Sequence, residues 1–481
     1  MKYVKIMKEL HKRVLKDKLL YIILFLALIG FLISYTSQKV ALRWDEAVYL
    51  SNAENLISKL PYYFEEHRSP LLASILYFGS FMLNLENFAK IFMALSFSLS
   101  ILLIYLVSKE SFNKNIGLIS AVLLTFNFYY INASKIIMVD IPTISLSLLA
   151  FYFLIIAIKR QKERLLYISG FCIGLSILMW YPSLGLLPIY FVYYLLKKIK
   201  IKQLLKVGLG LVLVLFPYFL LVYIKYGNPI SAMIKQLFIV NKSPESYLNL
   251  DYYLVSSFII TGPAVLAGIV FYLIYILGEA IGNLKLRDLP LGVWFILFFI
   301  FMTFINHKEI RYITLATPPL FILAAKGYSN LKNSLNLNWF WYSFIVLFFI
   351  LVSFLNIELF SGQVSQKENN VLLYEEQILM ARSLNSIPVA NYIAINMPNE
   401  YVIYSNNLYP VLAYYSKRKT IAFWPWDEGF YKSFPQNMPE DGWLVNYNDV
   451  DKHPTIAFLN EDSHFKKIKE FTNITLYEYH N

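Results

Sequence analysis

The chain has 481 residues, of which 58% are hydrophobic and only 15% charged. Soluble domains carry about 25% charged residues, so this composition excludes an ordinary soluble protein and describes a polytopic α-helical membrane protein. Lys and Arg outnumber Asp and Glu by 43 to 31, but the excess sits in short clusters between apolar runs, as in cytoplasmic loops, which excludes nucleic acid as the partner.

The N-terminus reads KYVKIMKELHKRVLKDK ahead of an apolar run that has no small-residue cleavage site. That pattern predicts a retained first span with a cytoplasmic basic lead-in, not a removed signal peptide. Spans are predicted at roughly 19–36, 88–108, 116–131, 140–158, 165–180, 183–196, 204–224, 252–277, 289–306, 312–328 and 339–358, about eleven in all. The run from Pro70 to Leu83 is too short for a straight crossing and suits a re-entrant or interfacial helix.

The distribution of positive charge arbitrates. If 70–83 does not cross, KRQKER at 159–164, KKIKIKQLLK at 197–206, Lys109/Lys114 and Lys285/Arg287 all share the side of the basic N-terminus. If it crosses, each of them flips outward, against the rule that short basic loops stay in the cytoplasm. Residues 37–87 therefore read as one outer segment holding interfacial helices, and an odd number of crossings leaves the C-terminus outside. The predicted division is a transmembrane domain over 1–361 and an extracytoplasmic α/β domain over 362–481. In the latter EYVIYSN, GWLVNY and NITLYEYH read as strands, and 374–396 and 407–416 as helices. Cys172 is the only cysteine, so the outer domain folds without an internal disulfide.

Four charged constellations fall on the predicted outer side. Arg43-Trp44-Asp45-Glu46 follows the first span; Ala47, Leu50, Ala53, Glu54 and Ile57 after it recur at helical spacing, which predicts an amphipathic helix over 46–58 lying in the interface, with Asp45 at its start. Glu65-Glu66-His67-Arg68 precedes the interfacial run. Asp140-Ile-Pro142, with Lys135 five residues earlier, opens a span, where Asp reads equally well as a helix cap. His307-Lys308-Glu309-Ile-Arg311-Tyr312 joins two spans by a short turn, with three basic residues where the charge rule disfavours them. An anionic ligand explains that misplacement, since Arg and Lys hold phosphate by charge-assisted hydrogen bonds; a structural ion pair with Glu309 is the alternative. Carboxylates and cations gathered on one face suit phosphoryl-linked group transfer.

With these segments in view, the chain resembles the GT-C membrane glycosyltransferases that use lipid-phosphate sugars, and is similar to protein O-mannosyltransferases and lipid A aminoarabinose transferases. The resemblance rests on the acidic pair in RWDEAVYLSNAENL, the element HRSPLLASILYFGSFML, the VDIP segment at Asp140, and the 307–312 motif followed by Pro318-Pro319. It covers about 20–330 and is loose beyond. It implies a polyprenyl- or dolichyl-phosphate monosaccharide as donor, with a hydroxyl of a protein, lipid or glycan as acceptor. It further implies single-displacement inversion, with Asp45 as general base and Glu46 and Asp140 orienting the acceptor or a cation. Donor phosphate would be held by Arg311 and Lys308, with His307 and Arg68, and supported by His67, Glu309 and Tyr312. Some such enzymes carry a Lys near the turn that here reads Trp180-Tyr181-Pro182-Ser183, and Lys135 is the candidate to replace that contact. No cofactor is required by the sequence; a divalent cation on Asp45, Glu46, His67 and Asp140 is the open option, although their spacing matches no compact motif. The rival readings are a flippase or transporter, to which Pro217 and Gly262-Pro263 offer helix breaks, and a membrane anchor for the outer domain.

Overall fold

In a computed structural model of the chain, the described residues are 18–36, 41–58, 64–196, 201–242, 252–278, 288–363, 369–422, 438, 440–448, 459–460 and 463–480. The basic lead-in, residues 197–200 and the Lys285/Arg287 loop lie outside them. The chain folds as two compact units. One comprises Met1–Gln38, His67–Leu71 and Lys90–Glu358; the other comprises Lys39–Glu66, Leu72–Ala89 and Leu359–Asn481. Most of residues 37–87 thus belongs with the C-terminal residues.

The first unit is a helical membrane bundle. Among the described residues four helices are long and apolar enough to cross a membrane: Leu85–Ser111, Asp140–Lys159, Ile201–Tyr226 and Tyr252–Gly278. Shorter apolar helices include Arg164–Met179, Leu289–Thr303 and Lys114–Thr125. Two expected spans begin as 3₁₀ turns, Tyr181–Leu186 before Leu187–Leu196 and Ile310–Ala316 before Pro318–Ser334, because a proline opens each following segment. Pro70–Gly79 has 10 residues, about 15 Å of helix, which is half of an apolar core about 30 Å thick.

Lipid offers helices no hydrophobic reason to associate, so small residues and hydroxyls hold the bundle. A Cβ at Gly327 would lie 1.9 Å from the Gly268 carbonyl oxygen, so only two glycines let Pro318–Ser334 approach Tyr252–Gly278 this closely. Serine pairs link further helices: Ser100 with Ser145 at 3.2 Å, Ser108 with Ser120 at 3.1 Å and Ser147 with Ser176 at 2.9 Å. Tyr252–Gly278 breaks where the sequence places Gly262-Pro263, with Gly262 at φ 71° and ψ 170°. The exposed backbone groups are resatisfied by side chains. Asn127 Nδ2 donates to the carbonyls of Ile260 (2.9 Å) and Thr261 (3.0 Å), Ser353 Oγ accepts from Ala264 N (2.9 Å), and Tyr328 donates to Ala264 O (2.8 Å).

The second unit carries a five-stranded mixed sheet: β1 Val402–Ser405, β2 Thr420–Ala422, β3 Gly442–Tyr447, β4 Phe465–Phe471 and β5 Ile474–Tyr479, in the order β2-β1-β3-β5-β4. β1 runs parallel to β2 and β3, while β5 pairs antiparallel with β3 and β4. Val402, Tyr404, Leu444, Phe465, Tyr477 and Tyr479 form its core. β1, β3 and β5 are the expected strands. β2 is three residues long, and β4 reads FKKIKEF, an edge whose lysines discourage further pairing and disguise it as a loop. Helices Asn369–Asn396 and Tyr409–Ser416 lie close to the predicted ones.

Candidate functional site

The predicted site residues divide between the units. Asp45 and Glu46 belong to the second; His67, Arg68, Lys135, Asp140, His307, Lys308, Glu309, Arg311 and Tyr312 belong to the first.

In the first unit the turn 304–309 and the 3₁₀ segment Ile310–Ala316 gather the cationic residues. The segment is fixed from below: Trp294 Nε1 donates to Leu315 O at 3.0 Å, and the Tyr130 hydroxyl meets Thr317 Oγ1 at 2.6 Å. Glu309 is the hub. Arg311 Nε donates to Oε2, while His307 Nε2 lies 2.7 Å and the Tyr312 hydroxyl 3.3 Å from Oε1. Burial by itself would raise the Glu309 carboxyl, but the Arg311 charge and hydrogen bonds from His307 and Arg311 outweigh it and hold Glu309 well below the usual carboxylate range. An ionised carboxylate only accepts, so His307 Nε2 carries the proton of that bond. Lys308 donates to the carbonyls of Ile305 (2.7 Å) and Thr303 (2.8 Å) at the end of Leu289–Thr303, where the helix C-terminus favours a cation, and sits 5.2 Å from the Tyr253 ring centre. Burial pushes its ammonium below its ordinary pKa. The ion-pair alternative is thus realised at Glu309, yet Lys308 and Arg311 against one carboxylate leave the turn net positive even with His307 neutral.

Arg311 also reaches the segment leading to Asp140, with Nη1 3.5 Å from the Met138 sulfur. Tyr129 lies in electrostatic reach of both Asp140 and Arg311, and accepts from Thr314 Oγ1 at 3.3 Å. Asp140 is not the helix cap: Val139 holds that position, and Asp140 is the first helical residue, only 7% exposed. Lys135, its pKa lowered by burial, donates to Asn132 Oδ1 at 3.1 Å. Trp180, in the turn expected to have lost a phosphate contact, packs its ring 6.2 Å from that of Tyr312. His67 and Arg68 are half-buried in the turn before Pro70–Gly79. Sequence reasoning missed Tyr129, Tyr253 and Met138, and named Trp180 only as part of a turn. In a chain with 38 Tyr and 38 Phe, an aromatic at a span end carries no distinguishing signal.

In the second unit Trp44–Ser58 begins with Asp45 and Glu46 in its first turn. Glu46, 5% exposed, accepts from the Arg43 backbone N at 2.8 Å, the reaching-back half of a capping box. From Glu46 to Ala53 every residue is buried, including Ser51 and Asn52. The helix is therefore not the one-sided amphipathic helix its spacing suggested, because neighbours cover its polar face too. Asn52 is satisfied reciprocally by Glu65, through Nδ2 to Glu65 O (3.1 Å) and Glu65 N to Oδ1 (3.0 Å). Among the described residues no three His, Cys, Asp or Glu side chains are grouped to hold a metal.

Residues 68–223 match the family model described as dolichyl-phosphate-mannose-protein mannosyltransferase. No curated protein matches the sequence. The solved structure of ArnT from Cupriavidus metallidurans bound to undecaprenyl phosphate is similar over 95% of this chain and 97% of its own, with TM-score 0.68 and 15% identity. The oligosaccharyltransferase from Archaeoglobus fulgidus in its apo form aligns over 89% of this chain and 69% of its own, with TM-score 0.64 and 15% identity. AglB from Archaeoglobus fulgidus, in complex with an inhibitory peptide and a dolichol-phosphate, aligns over 91% and 70%, with TM-score 0.62 and 14% identity. The chain has the GT-C fold and is an integral membrane protein.

Proposed function

We propose that the protein is a membrane glycosyltransferase that moves a monosaccharide from a polyprenyl- or dolichyl-phosphate to an acceptor hydroxyl on the outer membrane face. The observation that carries this reading is the net-positive turn ordered around Glu309, with Arg311 and Lys308 held by neighbours rather than left to snorkel. Solved proteins of the same fold bound to undecaprenyl phosphate and dolichol-phosphate support the donor class.

In the reaction, Asp45 accepts the proton of the acceptor hydroxyl. The oxygen attacks the anomeric carbon, and the bond from that carbon to the phosphate oxygen breaks. The electron pair leaves with the lipid phosphate, and the configuration inverts. The leaving group gains charge, so Arg311, Lys308 and Arg68 stabilise the transition state more than the ground state. Lys135 and His307 assist the phosphate, His67 and Tyr312 support it, and Glu309 fixes His307 and Arg311. Glu46 and Asp140 orient the acceptor hydroxyl or a cation. On this reading 1–361 forms the membrane domain and 362–481 the outer domain, with the N-terminus cytoplasmic.

A transport reading draws on the broken helix at Gly262 and on the buried Lys326–Asp288 pair. Membranes holding the protein, given labelled polyprenyl-phosphate sugar and candidate acceptors, decide between the two. Label in a glycoconjugate supports transfer. Label crossing the bilayer still attached to its lipid supports the flippase.

A further inference from the structure

Within the second unit, Trp44–Ser58 is gripped at two separated points by the short helix Tyr409–Ser416. The Trp44 ring, one residue before Asp45, meets the Tyr409 ring edge-on, with centroids 4.3 Å apart and planes at 79°. Ten residues later Glu54 receives Lys417 Nζ on both oxygens, at 2.6 and 2.5 Å. Trp44 to Glu54 spans about 15 Å of helix, and Tyr409 to Lys417 about 12 Å, so the two helices run side by side in the same direction. Between these points the Tyr415 phenol lies in electrostatic reach of Glu46, whose carboxylate closes the first turn on Arg43 N. Ser383 Oγ adds a hydrogen bond to Leu42 O, just ahead of that turn.

The gripping helix is cut to length. Leu408 before it (φ 43°, ψ 30°) and Lys417 after it (φ 56°, ψ 37°) both take the left-handed conformation, which L side chains avoid. Such residues persist where surrounding contacts over-determine them. Here both flank the helix bearing the gripping side chains, and Lys417 is one of these. Together with the reciprocal Asn52–Glu65 hydrogen bonds, the two contact points fix the direction and the roll of the acidic helix, and roll is what aims Asp45.

We infer that Tyr409 and Lys417 are positioning residues for the Asp45 carboxylate. The C-terminal part of the chain thereby sets the rate of the proton-transfer step rather than the affinity for the lipid donor. This rests on the transferase reading above. A misplacement of about 1 Å at a reacting group costs about 100-fold in rate.

The test uses the full-length protein in membranes. Tyr409→Ala should lower kcat by about 100-fold and leave the donor KM within about 2-fold, because only orientation is lost. Tyr409→Phe keeps the ring edge and should restore kcat. Lys417→Glu and Glu54→Lys should each lower kcat, and the double charge swap should recover it. A second readout is independent of turnover. In a Cys172→Ser background, the thiol introduced by Ala47→Cys at this buried position should react faster with a maleimide when Tyr409→Ala is present. Wild-type kcat in Tyr409→Ala, or failure of the charge swap to recover activity, overturns the inference, as does unchanged maleimide reactivity. A wild-type protein that transfers no sugar would instead remove the transferase reading, and the maleimide comparison would still decide whether the grip exists.

Discussion

Arg311 donates through Nε to the carboxylate of Glu309, two residues before it, although the backbone at Glu309 is extended (φ −131°, ψ 140°). An extended residue followed by a 3₁₀ turn folds the guanidinium back over the carboxylate, while Nη1 faces Met138 on the segment leading to Asp140. The pair serves as an anchored cation: Glu309 fixes the orientation of Arg311, and Lys308 keeps the turn net positive.

Arg311→Ala should therefore weaken donor binding. Loss of charge-assisted hydrogen bonds to a phosphate costs about 1.5–3 kcal/mol, or roughly 10- to 150-fold in affinity. Arg311→Lys should recover only part of it, because an ammonium cannot hold both Glu309 and a phosphate with a planar fork. Binding of polyprenyl phosphate to the purified variants measures this; wild-type affinity in the alanine variant would remove the phosphate role.

Glu309 predicts a pH dependence of stability. Its folded-state pKa is depressed below the ordinary value of 4.5, so its ionised form stabilises the fold above that pH. The contribution is lost as pH falls below 4.5 toward the lower folded-state value. Thermal denaturation of the solubilised protein should fall in this acid range, and Glu309→Gln should be less stable at neutral pH with a flatter acid profile. Parallel curves for the two proteins would contradict the assignment.

Asp45→Asn should insert and fold like the wild type, since the side chain keeps its size at a half-buried helix start. Transfer should drop by about 100- to 10,000-fold, the usual contribution of a general base. Near-normal turnover, measured with labelled donor, would exclude Asp45 from proton removal.

The buried pair of Asp288 and Lys326 is 7% and 8% exposed, and Asp288 also accepts from the Tyr272 hydroxyl at 2.9 Å. Removing one partner strands the other charge, so Lys326→Met should destabilise by about 3–5 kcal/mol. Adding Asp288→Leu should recover most of the loss, since an apolar pair of similar volume needs no counterion. Melting temperatures of the single and double variants in detergent check this; a double variant as unstable as the single would show that the pair does more than neutralise itself.

Much of this architecture was legible because membrane insertion is a demand on composition. Apolar runs, the break at Gly262-Pro263 and the non-crossing length of Pro70–Gly79 all follow from the requirement that backbone groups be satisfied inside lipid. The strand β4 was hidden, since its charged edge is allowed only by pairing with β5. The site was legible as charges in unusual places, at 43–46, 140 and 307–312. Their partners were not, because His307 and Arg311 on Glu309, or Glu46 on Arg43 N, depend on how the chain turns between neighbours.

The sequence by itself determined that this chain lives in a membrane and ends in a small α/β fold, because hydropathy and residue periodicity act locally along the chain. Only the tertiary structure decided that residues 39–66 belong with 359–481, that residues 46–53 of a helix spaced as amphipathic are buried on all sides, and that Tyr409 and Lys417 grip it. Those are contacts between segments more than 350 residues apart, and no local pattern encodes which distant partner a buried face will meet.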